Sequence, residues 1–222
     1  MKTLNAPEFS SLTHQATVLE EDGYGVKVMK LNDGSFLKLF RLKRTFSSAL
    51  FYPYAKRFAA NAAELQRLGV PTPRVIQCFS VAEPKRNCVH YHPLEGVTLR
   101  ELYRREQQPM PDERVRLLGQ FLASLHDKGV YFRSIHLGNI VLTPASDLGL
   151  IDLSDMKIQR RPLSNRLRLR NFAHLIKGEE DQASLQLAGE QGRLLLVSYL
   201  EGSQHSDKGL KEALTNALDI PL

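Results

Sequence analysis

The chain has 222 residues, a formal net charge of +6, 42% hydrophobic and 24% charged residues. That content supports a packed core, argues against disorder over most of the length, and includes no apolar run of the ~18–20 residues needed to span a membrane. Two cysteines, Cys78 and Cys88, make no disulfide framework and fit free thiols in a reducing cytosol, while the basic balance favours anionic partners such as phosphorylated small molecules, nucleic acid or an acidic membrane face.

Residues 1–7 lack the continuous apolar core of a signal peptide, so a cytoplasmic protein is expected. The first third reads as strands. Residues 16–19 form a short apolar run, followed by an acidic stretch and Gly23-Tyr-Gly25. Residues 26–31 partly alternate. Asn32-Asp-Gly34 is a strong hairpin turn, because these residue types accept the positive φ such turns require. Phe36-Leu-Lys-Leu-Phe40 returns as a third strand, giving a small antiparallel meander.

A helix is predicted after Pro53, which suits a first helical position. Tyr54, Phe58, Ala62, Leu65 and Leu68 recur at spacings of three and four, and Gly69 and Pro71 stop the helix. Residues 75–79 and 87–91 read as two more strands. The stretch 92–96 is the best candidate linker. Beyond it, Thr98-Leu-Arg-Glu101 is a capping box. Residues 114–128 are amphipathic through Val115, Leu118, Phe121, Leu122 and Leu125, and Gly129 ends that helix. Two very short strands, residues 140–142 and 148–151, flank a turn, and helical pattern resumes at about Asn165. The expected architecture is α+β: a lobe of five antiparallel strands and one helix over residues 1–92, then a mainly helical lobe over residues 93–222.

Transfer of a phosphoryl group from ATP needs a cation on the phosphates, metal ligands and a positioned acceptor hydroxyl. Lys38 lies mid-strand among apolar neighbours, and Glu64 lies on the following helix, where it could pin that lysine. The alternative is a strand-edge lysine and a solvated glutamate. Asn139 and Asp152 each abut one of the two short strands. If those strands form a hairpin, both side chains emerge at one end as hard oxygen ligands suited to Mg²⁺. The alternative there is an Asx turn and a hairpin cap. Gly23 and Gly25 sit between the first two strands, either as a plain hairpin or as a turn that covers phosphates.

Ile135-His-Leu-Gly-Asn-Ile-Val-Leu142 followed by Leu150-Ile-Asp152 resembles the catalytic loop and metal-binding aspartate of the protein-kinase-like superfamily. Residues 36–44, 57–61, 68–72 and 91–96 are similar to the lipopolysaccharide core (Kdo/heptose) kinase family. The likeness covers roughly residues 23–177, and its motifs are specific in combination only. It implies a two-lobed protein-kinase-like fold that binds ATP and Mg²⁺. Lys38 would contact the α- and β-phosphates, and Glu64 would orient it. Asn139 and Asp152 would hold magnesium. His90, Tyr91 and His92 would lie in the hinge beside adenine, offering backbone hydrogen bonds.

One departure matters most. Active relatives carry an aspartate five residues before the loop asparagine, usually preceded two residues earlier by histidine. Here those places hold Ser134 and Phe132. General acid–base help is typically worth ~10²–10⁴-fold, so a slow kinase or a nucleotide-binding pseudokinase acting as regulator or scaffold is expected. Arg133 and His136 stand nearby as candidate loop residues. The metal motif is also Asp152-Leu-Ser154, without the usual glycine.

Residues 157–170 contain Lys157, Arg160, Arg161, Arg166, Arg168 and Arg170 and no acid. Arginines there, Arg160, Arg161 and Arg166 above all, could grip phosphate groups of a small-molecule or glycolipid acceptor. A solvated basic face is the alternative, and peripheral contact with an anionic inner-membrane leaflet is a related option. Arg41, Lys43 and Arg44 form a second basic cluster. No aromatic-interleaved basic stripe occurs, so nucleic acid is not an expected partner.

Overall fold

The structure is a computed structural model that describes residues 1–41, 52–106, 109–185, 189–218 and 220. Lys43 and Arg44 of the second basic cluster lie outside the described residues. The chain forms two compact units. One comprises Met1–Leu94 with Asp152–Asp155, the other Glu95–Ile151 with Met156–Leu222.

The first unit is built on a mixed sheet. Its strands are β1 (Lys2–Leu4), β2 (Thr17–Asp22), β3 (Gly25–Lys30), β4 (Phe36–Arg41), β5 (Arg74–Val81) and β6 (Arg86–His92), in the order β1-β5-β6-β4-β3-β2. Helices α1 (Ala6–Leu12) and α2 (Tyr54–Arg67) complete it. The turn between β3 and β4 forms as its sequence dictates, with the Asp33 carboxylate accepting from the Ser35 amide at 2.9 Å. The side-chain alternation of β4 then sorts two cores. Leu37 and Leu39 join Leu31, Phe79, Val81 and Cys88, against which Phe9 and Leu12 of α1 pack. On the side of α2, Phe58 meets Tyr91 at 5.2 Å between ring centroids, and Tyr91 meets Phe36 at 6.0 Å.

The expected five antiparallel strands and one helix are therefore corrected to six strands and two helices among the described residues. The added strand, β1, runs parallel to β5, with Thr3 opposite Ser80. Three exposed or half-buried residues carry no alternation, so β1 leaves no periodic signal. Helix α1 does leave one. Asn5 and Glu8 form a reciprocal capping box with Pro7 in the first turn.

The second unit is mainly helical: α3 (Leu99–Glu106), α4 (Asp112–Asp127), α5 (Asn165–Leu175), α6 (Glu179–Leu185), α7 (Glu190–Gly202) and α8 (Lys208–Leu218). Strands β9 (Ile140–Leu142) and β10 (Leu148–Leu150) form the expected hairpin, with Ile140 opposite Leu150. Three unforeseen short strands accompany it. β7 (Val97–Thr98) pairs with β9, and β8 (Val130–Phe132) pairs with β11 (Met156–Ile158). Each holds two or three residues, too few for a period to register. Gly129, between α4 and β8, has φ +78, and a Cβ there would stand 2.1 Å from the Gln159 carbonyl oxygen.

A buried polar network ties this unit together. Arg168 is fully buried and donates to the Leu163 carbonyl, the Tyr199 and Ser203 hydroxyls and, at 2.6 Å, the Asp127 carboxylate. His126 meets the Tyr199 hydroxyl through Nδ1 and the Asn171 amide oxygen through Nε2. Asn171 in turn donates to the Phe132 carbonyl at 2.6 Å. Arg168 is thus a core residue rather than part of a basic face, whereas Arg160, Arg161, Arg166 and Arg170 are exposed.

Candidate functional site

In β4 the neighbours Leu37 and Leu39 fill the α1 side of the sheet, so Lys38 projects from the opposite face. Val28 and Val89 stand opposite it on the flanking strands. Its Nζ donates to the Asp152 carboxylate at 2.7 Å. Lys38 is largely buried and Asp152 more open, at 16% and 40% side-chain exposure. Asp152 has φ +54, a left-handed backbone that costs a non-glycine residue roughly 1–3 kcal/mol and persists only where the surroundings enforce it. The 3₁₀ turn Leu153–Asp155 supplies that enforcement. Leu153 is buried, and its carbonyl accepts from Asn61 of α2 at 2.7 Å. The anchoring role of Asn61 has no sequence signal, because the contact spans 92 residues.

Lys38 and Asp152 open into a cleft of about 290 Å³, lined also by Gly25, Val26, Tyr54 and Ser154. The β2–β3 turn is held by several side chains. Asp22 accepts from the Tyr24 amide at 2.8 Å, Arg86 donates to the Tyr24 carbonyl at 2.7 Å, and the Arg41 guanidinium stacks 3.5 Å from the Tyr24 ring centroid. Gly25 follows with φ +105, a value that favours glycine. Gly23 is exposed in the same turn. Lys27 is engaged by Glu20 at 3.0 Å and Asp22 at 3.4 Å. Sequence reasoning misses Tyr24, Arg41 and Arg86 at this site, because the Arg86 bond that holds the turn comes from β6, distant in sequence.

The structure pairs Lys38 and Glu64 otherwise than expected. Lys38 meets Asp152, while Glu64 takes both ends of the Arg67 guanidinium fork, at 2.9 and 2.6 Å. Arg67 is three residues along the same helix, the spacing at which helical side chains meet.

The three residues expected beside adenine differ in setting. His90 and Tyr91 are interior to β6 and flanked on both sides, by Leu37 and Gln77 and by Phe36 and Val75. His92 is at the strand end, opposite Arg74. The side chain of His90 turns to the face of Leu37 and meets the Ser35 hydroxyl at 2.7 Å. Burial pushes its pKa down, against the opposing pull of Asp33. Burial, then the nearby Asp152 charge, pushes the Tyr91 hydroxyl up. Cys78 and Cys88 are free thiols, and burial raises Cys88 to about 12, which makes it unreactive.

In the second unit, Asn139 closes the 3₁₀ turn Leu137–Asn139. Its amide donates to the His136 carbonyl at 2.9 Å, its side-chain Nδ2 to the Ser134 carbonyl at 2.8 Å, and its own carbonyl accepts from Ile151 at 3.1 Å. With Nδ2 committed, Oδ1 is the atom suited to a cation. Arg133 is exposed, and Ser134 and His136 are half-buried. Ile151 pairs back to Asn139 and is followed directly by Asp152, where the chain enters the first unit.

Among the described residues, no group of three or more His, Cys, Asp or Glu side chains is placed to hold a metal, and no helix is long and apolar enough to cross a membrane. No protein-family profile and no curated protein sequence matches the chain. Among solved structures, the bifunctional kinase-methyltransferase WbdD is similar at 16% identity and a TM-score of 0.47, over 89% of this chain and 46% of that one. This chain thus spans about half the length of that protein.

Proposed function

We propose that this protein is an ATP- and Mg²⁺-dependent phosphotransferase of protein-kinase-like build, acting on a sugar hydroxyl of a lipopolysaccharide-core-like acceptor. The observation that carries the reading is the Lys38–Asp152 pair at 2.7 Å inside a cleft beside the β2–β3 glycine turn. A strand lysine supplies a fixed cation for phosphate oxygens, and a carboxylate next to it supplies a hard ligand. The donor set fits a nucleotide-bound magnesium, which takes one or two protein oxygens and completes its shell with phosphates and water. Asp152 is the proposed carboxylate ligand and Asn139, through Oδ1, the second.

When bound, the metal neutralises charge on the transferring phosphate. The chain's own part is to hold and orient. Lys38 engages the α- and β-phosphates in exchange for its present bond to Asp152. Gly25, without a side chain, permits close approach of the turn to phosphate. The strand end at His92 leads into the proposed adenine edge. Exposed Arg160, Arg161 and Arg166 suit an anionic acceptor or an anionic membrane surface.

Ser134 favours a second reading, in which the protein binds nucleotide without turning it over and acts as regulator or scaffold. A serine hydroxyl does not act as a base near neutral pH, and the Ser134 carbonyl is already engaged by Asn139. Thermal stability measured with ATP, with and without Mg²⁺, tests binding. ADP release with a Kdo- or heptose-containing acceptor then separates catalyst from scaffold. Absence of any ATP stabilisation, with or without Mg²⁺, sinks both readings, and stabilisation that does not depend on Mg²⁺ sinks the first. Stabilisation without turnover above an Asp152→Ala control leaves the scaffold alone.

A further inference from the structure

The geometry points to Asp181 and Arg100 as positioning residues for the turn that carries Asn139, an assignment that rests on the magnesium–nucleotide reading above. Asp181 lies in the first turn of α6 and is fully buried. Arg100 of α3 grips it with two parallel bonds, Nε to Oδ1 at 2.8 Å and Nη2 to Oδ2 at 2.9 Å. The same Oδ2 accepts from the Leu137 backbone amide at 2.9 Å. Leu137 opens the 3₁₀ turn that Asn139 closes.

One buried carboxylate therefore fixes the start of the turn. Its end is fixed by the bonds from Asn139 to Ser134 and His136. Gly138, between them, lets the clamp close. A Cβ at that position would stand 3.1 Å from Arg100 Nη1 and 3.0 Å from His136 Nδ1. A side chain there requires the Arg100 guanidinium or the His136 ring to give by a few tenths of an ångström. Glu180 adds an exposed second partner, 3.7 Å from Arg100 and 2.8 Å from Arg104.

A carboxylate buried with a bidentate arginine often serves only to join two helices. Here it also spends an acceptor lone pair on the loop backbone, two residues before the proposed metal ligand. Groups that orient a ligand from behind typically change metal affinity 10–100-fold when removed. The clamp should set how well Asn139 Oδ1 is presented, and should leave metal-free nucleotide binding alone.

The test uses the full chain with Asp181→Asn and Arg100→Lys. The first keeps the size of the side chain, and the second keeps the charge but loses the fork. Two readouts are taken for each: amide hydrogen exchange in residues 136–139, and the Mg²⁺ concentration that gives half of the ATP-dependent thermal stabilisation. The expected result is faster exchange confined to that turn, a roughly 10–100-fold rise in the required Mg²⁺, and an unchanged response to ATP without metal. Faster exchange with an unchanged Mg²⁺ requirement reduces the pair to a helix tie and overturns the assignment, as does no change in either. If the unaltered protein shows no magnesium-dependent ATP binding, the functional reading has failed; exchange unchanged at residues 136–139 would then show, separately, that the clamp does not hold the turn.

Discussion

Lys38 and Asp152 are 114 residues apart in the chain and meet at 2.7 Å. Strand alternation aims the lysine, and the Leu153 anchor aims the carboxylate. The pair is half-open, with side-chain exposures of 16% and 40%, and each partner neutralises the other. Under the proposed reading, phosphate would take over the lysine and a cation the carboxylate.

Replacing Lys38 with methionine keeps the bulk of the stem and removes the charge. ATP-dependent thermal stabilisation should then fall by at least tenfold in apparent affinity, about 1.4 kcal/mol. Unaltered ATP affinity in Lys38→Met would move the phosphate site elsewhere.

Asp152 allows backbone and charge effects to be separated. Asp152→Ala and Asp152→Gly both lose the Lys38 bond, but only glycine is at ease at φ +54. The left-handed penalty for alanine, ~1–2 kcal/mol, is partly offset by the greater freedom of glycine in the unfolded chain, ~0.4–1 kcal/mol. The glycine variant should be the more stable by about 0.5–1 kcal/mol in urea unfolding, with magnesium-dependent nucleotide binding lost in both. An alanine variant at least as stable as the glycine one would mean that the turn relaxes out of the left-handed region.

The sequence carried the hairpin of β9 and β10, the helix at residues 54–67 and the Asn-Asp-Gly turn. These are local or periodic features. It did not carry what those residues touch. Glu64 looked like the partner of Lys38 from order alone, yet its own helix offered Arg67 one turn away. Arg168 looked like one of six surface cations, yet its position one helical turn after Ser164 aims it inward at Asp127. The Glu64–Arg67 pair follows helical spacing, but the Lys38–Asp152 and Arg168–Asp127 pairs depend on which faces are buried, which no spacing rule states.

Arg168 leads to a stability prediction. Asp127 is 14% exposed and Arg168 is fully buried. Arg168→Met leaves the Asp127 carboxylate without its main charge partner. Breaking a buried pair from one side costs ~3–5 kcal/mol, and about 3 kcal/mol is expected here because Asp127 keeps the Gln204 amide and the Ser203 hydroxyl. Chemical denaturation measures it. A cost under 1 kcal/mol would mean that water reaches Asp127 once the guanidinium is gone.

His126 sets a pH dependence with a definite sign. Burial lowers its pKa to about 4, with the Asn171 hydrogen bond opposing. The unfolded imidazole takes up a proton near pH 6.5, while the folded one stays neutral down to about pH 4. Stability from this group is therefore full above about pH 6.5 and falls by roughly 1.4 kcal/mol per pH unit on the way down. Asp127 behaves differently. Burial alone would raise its pKa, but the Arg168 guanidinium, the Gln204 amide and the Ser203 hydroxyl hold it below the usual carboxylate range. Its contribution is full above the unfolded carboxylate pKa, about 3.9, and is lost as pH falls from there through the lower folded value. Urea midpoints between pH 7 and 4.5 should isolate the histidine, and His126→Gln should flatten the slope. An equally steep slope in that variant would assign the acid sensitivity to another group.

Ser134 stands five residues before Asn139, and its carbonyl already accepts the Asn139 side chain at 2.8 Å. That bond uses backbone, so replacing the side chain leaves it in place. Ser134→Asp therefore adds a carboxylate without disturbing the bond that orients the proposed metal ligand. If the site is an attenuated kinase, ADP release with a sugar acceptor should rise by ~10²–10⁴-fold, the usual worth of a positioned base, with nucleotide affinity nearly unchanged. A rise confined to hydrolysis, without phosphorylated acceptor, would point to water as the acceptor. No rise, despite intact Mg²⁺–ATP binding, would show that positioning of the acceptor and not the missing base limits the reaction, and would favour the scaffold reading.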